Sequence, residues 1–308
     1  MSRPDTTIVG RNAEEVGAVP DQRIVVGYDG SPDARKAARW ALDEATRTDA
    51  PVELLYAYEW PTYVPAAAMM PAAAVYPDAD TDDAVGDMLG RAIATAADTH
   101  PGVRVRGRVE HGTAAVALTQ RGADAGLLVV GGPRHSGVRA LLGSTAASVS
   151  THARCPVVVV RGEPRATDPV LAGVDDSPTA ATVLGFAFEQ AAVRGVGVRA
   201  VHGWPVPDGG RDLLCERNLD AVAAERRRLE EIVDCWRRRF PAVPVTTEVL
   251  VGPPGEVLAE AAAGAQLVVA GARVRRALRM ALRPSISRHL LHRARCSIAL
   301  VQGSTPVG

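Results

Sequence analysis

The chain has 308 residues, of which 47% are hydrophobic and 23% charged, a balance typical of a folded protein with a buried core in each of two domains. Its 35 basic and 35 acidic residues cancel, which argues against attraction of the whole protein to nucleic acid or an anionic membrane. The N-terminal stretch lacks the layout of a signal peptide, and no apolar run approaches the roughly 18 residues that cross a bilayer. We therefore expect a cytoplasmic protein that neither enters a membrane nor favours nucleic acid.

The first half of the chain alternates predicted strands and helices. Strands are predicted at residues 24–28, 52–58, 103–110, 127–130 and 157–160, and helices at 33–48, 80–100, 114–121 and 144–152. The third strand alternates apolar residues with arginine, a pattern typical of a sheet edge with one face in water. The second half repeats the series, with strands at 170–174, 198–202, 245–251, 267–270 and 298–301. Strands separated by helices require crossover connections, which predicts parallel, doubly wound sheets.

Two pairs of sequence blocks show that the halves are copies of one another. IVVGYDGS at 24–31 matches VLAGVDDS at 170–177, and HARCPVVVV at 152–160 matches RARCSIALV at 293–301. Asp29 to Asp175 is an offset of 146 (175 − 29), and Cys155 to Cys296 is an offset of 141 (296 − 155). Offsets that nearly agree at both ends indicate a tandem duplication with small insertions.

The duplication predicts a domain plan. We expect a flexible N-terminal segment at 1–20, a first domain at 21–162, a linker at 163–168 and a second domain at 169–303. The extra residues of the first copy are expected in the Pro/Ala-rich stretch 61–77, which is either a disordered loop or an apolar lid and partner surface.

Candidate binding residues follow the strands of the first copy. In an open parallel sheet, ligands bind beyond the carboxyl ends of the strands, where Asp29 and the glycines of GGPRHSG are expected. Gly143, Ser144 and Thr145 then open a helix, whose free backbone N–H groups form either an anion cradle or a simple helix cap. A carboxylate at one end and a phosphate cradle at the other would suit a nucleotide.

Three segments carry a resemblance to a known family: IVVGYDGSP, LLVVGG leading through RALLGSTAASV, and HARCPVVVV. Together they resemble the universal stress protein family, in its ATP-binding subclass. The resemblance implies an α/β chain of two tandem open parallel five-stranded sheets flanked by helices, an adenine-nucleotide-binding, Rossmann-like doubly wound fold. It also implies that the last strands of the two domains pair. The nucleotide-binding residues that it implies are Asp29 and Ala57 at the adenine, Gly131 near the ribose, and Gly143, Ser144 and Thr145 at the phosphates; Gly132 is a further nucleotide-binding candidate.

The sequence also departs from the family's pattern, G-x2-G-x9-G-[ST]. In the first copy Gly131 to Gly143 is one residue too short, and Pro133 or Arg134 takes the place of the second glycine. In the second copy Val274 and Pro284 replace the second and third glycines. The second copy therefore offers a degenerate site, whose remaining candidates are Asp175, Gly271, Ser285 and Ile286. Its segment 273–283 is rich in arginines, which either replace the lost backbone donors or form a solvated face.

We expect the protein to bind ATP chiefly in the first copy and to act as a nucleotide-dependent regulator or sensor in stress responses. Mg²⁺ as a companion of ATP, a homodimer and an unidentified protein partner are left open. No catalytic pair or metal site is predicted, and the one lysine, Lys36, lies on the first helix rather than in a phosphate-binding loop. The alternatives are a nucleotide-free scaffold that recruits partners and a slow ATPase.

The remaining reactive residues receive structural interpretations. None of the four cysteines forms a Cys-x-x-Cys pair; Cys155 and Cys296 are expected to be buried, and Cys215 and Cys235 to be free thiols in a helical region.

His289 and His292 are three residues apart on a predicted surface helix but lack a third ligand for a metal. Trp236 precedes three arginines, which indicates a charged amphipathic helix with the tryptophan on its core face rather than a nucleic-acid patch.

Overall fold

The computed structural model describes residues 21–58, 79–132, 143–163, 165–205, 216–272 and 286–303. The predictions for residues 1–20, for the Pro/Ala-rich stretch 61–77 and for Cys215 lie outside these residues. Backbone contacts divide the chain into two compact units. The first unit runs to Gly131 and adds Ser144–Val149 and Ala153–Cys155, whereas the second holds Gly132, Gly143, Ser150–His152 and the residues from Pro156 onward.

The described part of the first unit contains four parallel strands, in the order β3-β2-β1-β4. They are β1 (Asp21–Gly27), β2 (Val52–Tyr58), β3 (Val105–His111) and β4 (Ala125–Gly131); the helices are α1 (Pro32–Thr48), α2 (Ala79–Thr99), α3 (Ala114–Arg121) and the first residues of α4 (Ser144–His152). The predicted edge position of β3 is confirmed. Strand β1 begins three residues earlier than predicted, because Asp21 pairs with Ala125 before a register shift.

Among its described residues, the second unit contains six strands, in the order β5-β10-β9-β6-β7-β8. The strands are β5 (Val157–Val160), β6 (Val170–Gly173), β7 (Val198–Trp204), β8 (Val245–Val251), β9 (Leu267–Ala272) and β10 (Ser297–Gln302); the helices are α5 (Ala180–Arg194), α6 (Glu216–Arg239), α7 (Pro254–Ala261) and α8 (Ile286–Arg293). Strands β6 to β10 form the parallel five-stranded sheet predicted for the second copy.

Strand β5, the last strand of the first copy, pairs antiparallel with β10, the last strand of the second. Val159 stands opposite Ile298, and the Ser297 hydroxyl accepts a hydrogen bond from the Arg161 N–H at 3.2 Å. The predicted pairing of the two last strands is therefore confirmed. The mixed α/β class, with tandem parallel sheets flanked by helices, is likewise confirmed.

Helix α1 shows how local sequence sets an element. The Ser31 hydroxyl accepts from the Ala34 N–H at 3.1 Å, and Pro32 occupies the first turn, where a missing N–H costs nothing. The helix ends at Asp49, in the left-handed region at φ 55°. Its core-facing residues are small and almost fully buried, and they let the helix lie close to the sheet: Ala34, Ala37, Ala41 and Ala45.

The interpretations of Cys155, Cys296 and Trp236 are confirmed. Both thiols are buried, and burial raises the pKa of each to about 12. Trp236 stacks on Phe188 of α5, with the rings 6.1 Å apart. Cys235 is a free, exposed thiol. Across the described ranges, no helix combines the length and the apolar composition that crossing a bilayer requires.

Candidate functional site

Three neighbouring strands of the first unit end at the same edge of the sheet. Strand β1 lies between β2 and β4 and is parallel to both, with Val26 opposite Leu54 and Val129. Asp29 follows the end of β1 by two residues, while Ala57 and Gly131 lie at the ends of β2 and β4. The topology therefore brings these three predicted site residues together at the carboxyl edge, where open parallel sheets bind ligands.

The turn after β1 is held by the side chain of Asp29. Its Oδ1 accepts from the Ser31 N–H at 2.9 Å, and the residue is exposed. Gly30 has a φ of +74°, and a Cβ at this position would lie 2.6 Å from Sδ of Met88 on α2. Helix α2 thus packs against this turn through Met88, which the sequence reasoning missed because the contact joins residues 58 positions apart (88 − 30).

Aromatic side chains mark the end of β2. Tyr58, the last residue of the strand, contacts Tyr56 with a ring separation of 6.0 Å and His111 with a separation of 6.1 Å. In the second copy His202 and Trp204 stand at the equivalent positions, with rings 6.4 Å apart. The repeated aromatic residue at the end of this strand was a usable signal that sequence reasoning did not use.

Gly131 is required by packing. A Cβ there would lie 2.7 Å from the carbonyl carbon and oxygen of Asp33, in the first turn of α1. The glycine therefore permits a close approach of helix and strand. This contact explains the residue whether or not a ligand is present.

The start of α4 is open. Gly143 and Ser144 are exposed, Thr145 is half-buried, and a Cβ at Gly143 would have no described heavy atom within 4 Å. The first N–H groups of a helix lack helical acceptors and carry partial positive charge, so an open helix start can receive an anion. The N–H of Gly132, by contrast, already donates to the Val160 carbonyl at 3.0 Å.

The second copy keeps the same backbone plan within the second unit. Oδ1 of Asp175 accepts from the Ser177 N–H at 3.1 Å, as Asp29 does from Ser31. Gly271 is the penultimate residue of β9, and a Cβ there would lie 3.0 Å from Cγ2 of Thr179 on the segment before α5. Ile286 opens α8 and is half-buried. Ser285 and the arginine-rich segment 273–283 lie outside the described residues.

A charge cluster in the first unit is separate from the candidate site. Glu53, whose side chain is 1% exposed, lies at the amino end of β2 and forms ion pairs at 2.6 Å with Arg106 and with Arg121. Burial alone would raise the pKa of Glu53, but the Arg121 hydrogen bond and the surrounding arginine charges outweigh it, so the pKa is lowered. Asp29 follows the carboxyl end of β1, whereas Glu53 lies at the amino end of β2, so the cluster is not part of the candidate site.

Two segments of the chain match the model of one protein family. The model described as "Universal stress protein family" matches twice, at residues 21–161 and 166–302. The chain belongs to the universal stress protein family. The two matches correspond to the two copies found in the sequence.

Relatives within this family align along most of the chain. A universal stress protein of Mycolicibacterium smegmatis (strain ATCC 700084 / mc(2)155) is 30% identical over 300 residues, covering 93% of this chain and 99% of the relative. One from Mycobacterium tuberculosis (strain CDC 1551 / Oshkosh) is 33% identical over 256 residues, covering 82% and 88%. The crystal structure of a universal stress protein from Archaeoglobus fulgidus DSM 4304 matches with a TM-score of 0.67 at 15% identity, covering 91% and 96% of the two chains, which supports the fold alone.

Proposed function

We propose that this universal stress protein binds ATP in its first copy and uses the bound nucleotide to regulate a stress response. The observation that carries the proposal is the meeting of Asp29, Ala57 and Gly131 at the ends of three adjacent strands. The open start of α4, with Gly143 and Ser144 exposed, supports it by offering backbone donors to phosphate. Mg²⁺ would accompany ATP through the phosphates.

The first measurement is isothermal titration of nucleotide-free protein with ATP. We expect about one ATP per chain, and a loss of affinity of at least about tenfold in Asp29→Ala, equivalent to about 1.4 kcal/mol. Asp175→Ala is the matched control, because it removes the same Ser-to-Asp turn hydrogen bond in the second copy. An Asp29→Ala variant that binds ATP as tightly as the unmodified protein would contradict the assignment to the first copy.

The variant Gly143→Ala tests whether phosphate binds at the start of α4 without disturbing the fold. A methyl group there meets no described atom within 4 Å, so the fold should tolerate it, and the thermal midpoint should stay unchanged. If phosphate lies against the start of α4, the methyl group should still weaken ATP binding, because it occupies the space that the glycine leaves to a ligand. Unchanged affinity would move the phosphates away from this helix.

We further propose binding rather than turnover as the activity. Over the described residues, no group of three or more histidines, cysteines, aspartates or glutamates is placed to hold a metal ion. Because the sequence predicts no catalytic pair, phosphate release from ATP should stay at background under saturating nucleotide. Release that disappears in Ser144→Ala would favour the slow-ATPase alternative instead.

A further inference from the structure

Arg161 is a buried cation that no described carboxylate balances. It follows β5, is 5% exposed, and its Nε has no hydrogen-bond partner in the part of the chain that the structure describes. Its backbone is tied to Ser297, whose hydroxyl accepts from the Arg161 N–H and donates to the Arg161 carbonyl, each at 3.2 Å. Among described carboxylates, none forms an ion pair with the guanidinium. Burial lowers the pKa of Arg161, as expected for a desolvated charge.

Gly132 makes room for this side chain. A Cβ at Gly132 would lie 2.5 Å from Nε and 2.9 Å from Cγ of Arg161. The arginine therefore lies directly over the backbone of Gly132, in the turn that follows β4. The Gly132 N–H donates to the Val160 carbonyl at 3.0 Å, which fixes the turn against the strand that leads into Arg161.

The second copy changes both residues together. Ala272 is equivalent to Gly132, by the offset that relates Gly131 to Gly271, and Gln302 is equivalent to Arg161, by the offset that relates Cys155 to Cys296. The second copy therefore has a Cβ at Ala272 and the shorter, neutral side chain of Gln302 in place of arginine. Among the described residues, Nε of Arg161 and Nε2 of Gln302 are both buried without a hydrogen-bond partner, so the copies share an unpartnered donor here and only the first gives it a positive charge.

We propose that Arg161, lying over Gly132, binds a phosphate group. A guanidinium forms paired hydrogen bonds with phosphate oxygens, and a buried position strengthens the attraction because water screens it less. The phosphate belongs either to the nucleotide, in which case the inference rests on the proposed function, or to free inorganic phosphate. Both sources present the same oxyanion to the arginine.

The test titrates nucleotide-free protein separately with ATP, adenosine and inorganic phosphate. Arg161→Gln introduces the residue of the second copy, and Arg165→Gln removes an exposed charge from the same stretch as a control. If the nucleotide is the source of the phosphate, Arg161→Gln should weaken the affinity for ATP at least about tenfold and leave the affinity for adenosine unchanged. Arg165→Gln should change neither affinity. Equal ATP affinity in Arg161→Gln, with ATP binding still sensitive to Asp29→Ala, would overturn this inference and leave the proposed function standing.

The other arms separate the two ideas. If neither ATP nor adenosine binds, but inorganic phosphate binds and Arg161→Gln abolishes it, the arginine site stands with free phosphate as its ligand and the proposed function fails. If none of the three binds, both are overturned.

A pair of variants checks that the arginine and the glycine act together. Gly132→Ala should lower the thermal midpoint and weaken anion binding, because its methyl group displaces the guanidinium. Gly132→Ala with Arg161→Gln recreates the pair of the second copy. It should regain only part of the thermal midpoint, because glutamine removes Nε but keeps Cγ and Val159 Cγ1 still lies 2.8 Å from the added Cβ, and it should still fail to bind the anion tightly. A double variant no more stable than Gly132→Ala alone would contradict the coupling.

Discussion

The two copies share a backbone plan and differ in where they place charge. In both, an aspartate after the first strand accepts a hydrogen bond from the serine two residues later, and a glycine at the end of the fourth strand lies against the start of the first helix. The second strand carries Glu53 in the first copy and Arg199 at the equivalent position in the second. The sign of the charge is reversed while the surrounding fold is kept.

The partners of these two residues explain how the reversal is tolerated. Glu53 is buried and contacts Arg106 and Arg121, which come from β3 and α3. Arg199 instead forms a paired contact with Glu248 of β8, at 2.8 and 2.7 Å, with both side chains partly exposed. In both copies the charge on this strand is paired, and the two copies differ in its sign. The consequences for stability should differ, because burial sets the cost of breaking each pair.

The largest expected effect is the loss of Glu53. In Glu53→Gln the shape is kept but two arginines lose a buried partner, so the free energy of unfolding should fall by about 3 kcal/mol, near the lower end for broken buried pairs because both arginines reach water. Glu248→Gln, its counterpart, should cost less than about 1 kcal/mol. Urea unfolding at pH 7 measures both. Equal losses would break the comparison.

The next effect concerns the glycines at the ends of β4 and β9. Gly131→Ala should destabilise by about 2 kcal/mol, because the methyl group meets the backbone of Asp33, which cannot rotate away. Gly271→Ala meets a Thr179 methyl group at 3.0 Å, and that side chain can shift, so less than about 1 kcal/mol is expected. Thermal unfolding of the two variants checks the order. A larger loss for Gly271→Ala would mean that the second copy is the more tightly packed.

The acid sensitivity of the first copy should follow Glu53. Its folded-state pKa lies below the ordinary value of 4.5, so its contribution to stability is present above that value and is lost as pH falls through the lower folded-state pKa. The stability difference between the unmodified protein and Glu53→Gln should therefore hold from neutral pH down to about pH 5 and shrink below about pH 4.5. Urea unfolding at a series of pH values measures it. A difference that grows on acidification would contradict the sign.

The smallest effect tests a feature that the copies share. Cys155 and Cys296 occupy equivalent positions, and burial raises the pKa of both thiols to about 12. At pH 8 iodoacetamide should therefore modify exposed Cys235 and leave both of them unmodified until urea is added. Peptide mass mapping reads out each site. Fast labelling of only one of the two buried thiols would show that the copies differ here.

Much of the candidate site followed from local sequence. Continuous apolar runs predicted the strands, and Asp29, Ala57 and Gly131 were assigned from the resemblance to the universal stress protein family. Arg161 was missed because it directly follows the strand segment HARCPVVVV at 152–160. The sequence does not show whether such an arginine extends into water or packs over a glycine. The contact of Glu53 with Arg121 was missed because it joins residues 68 positions apart.

The sequence by itself determined the duplication, the succession of strands and helices, and the family, because these depend on periodicity and on short motifs that are written locally. Only the tertiary structure decided that β5 belongs to the compact unit of β10, that Gly131 is needed to admit the first turn of α1, and that Arg161 is buried beside Gly132. Those facts depend on which distant strands pair and on which side chains are removed from water. Both are settled when the sheets assemble.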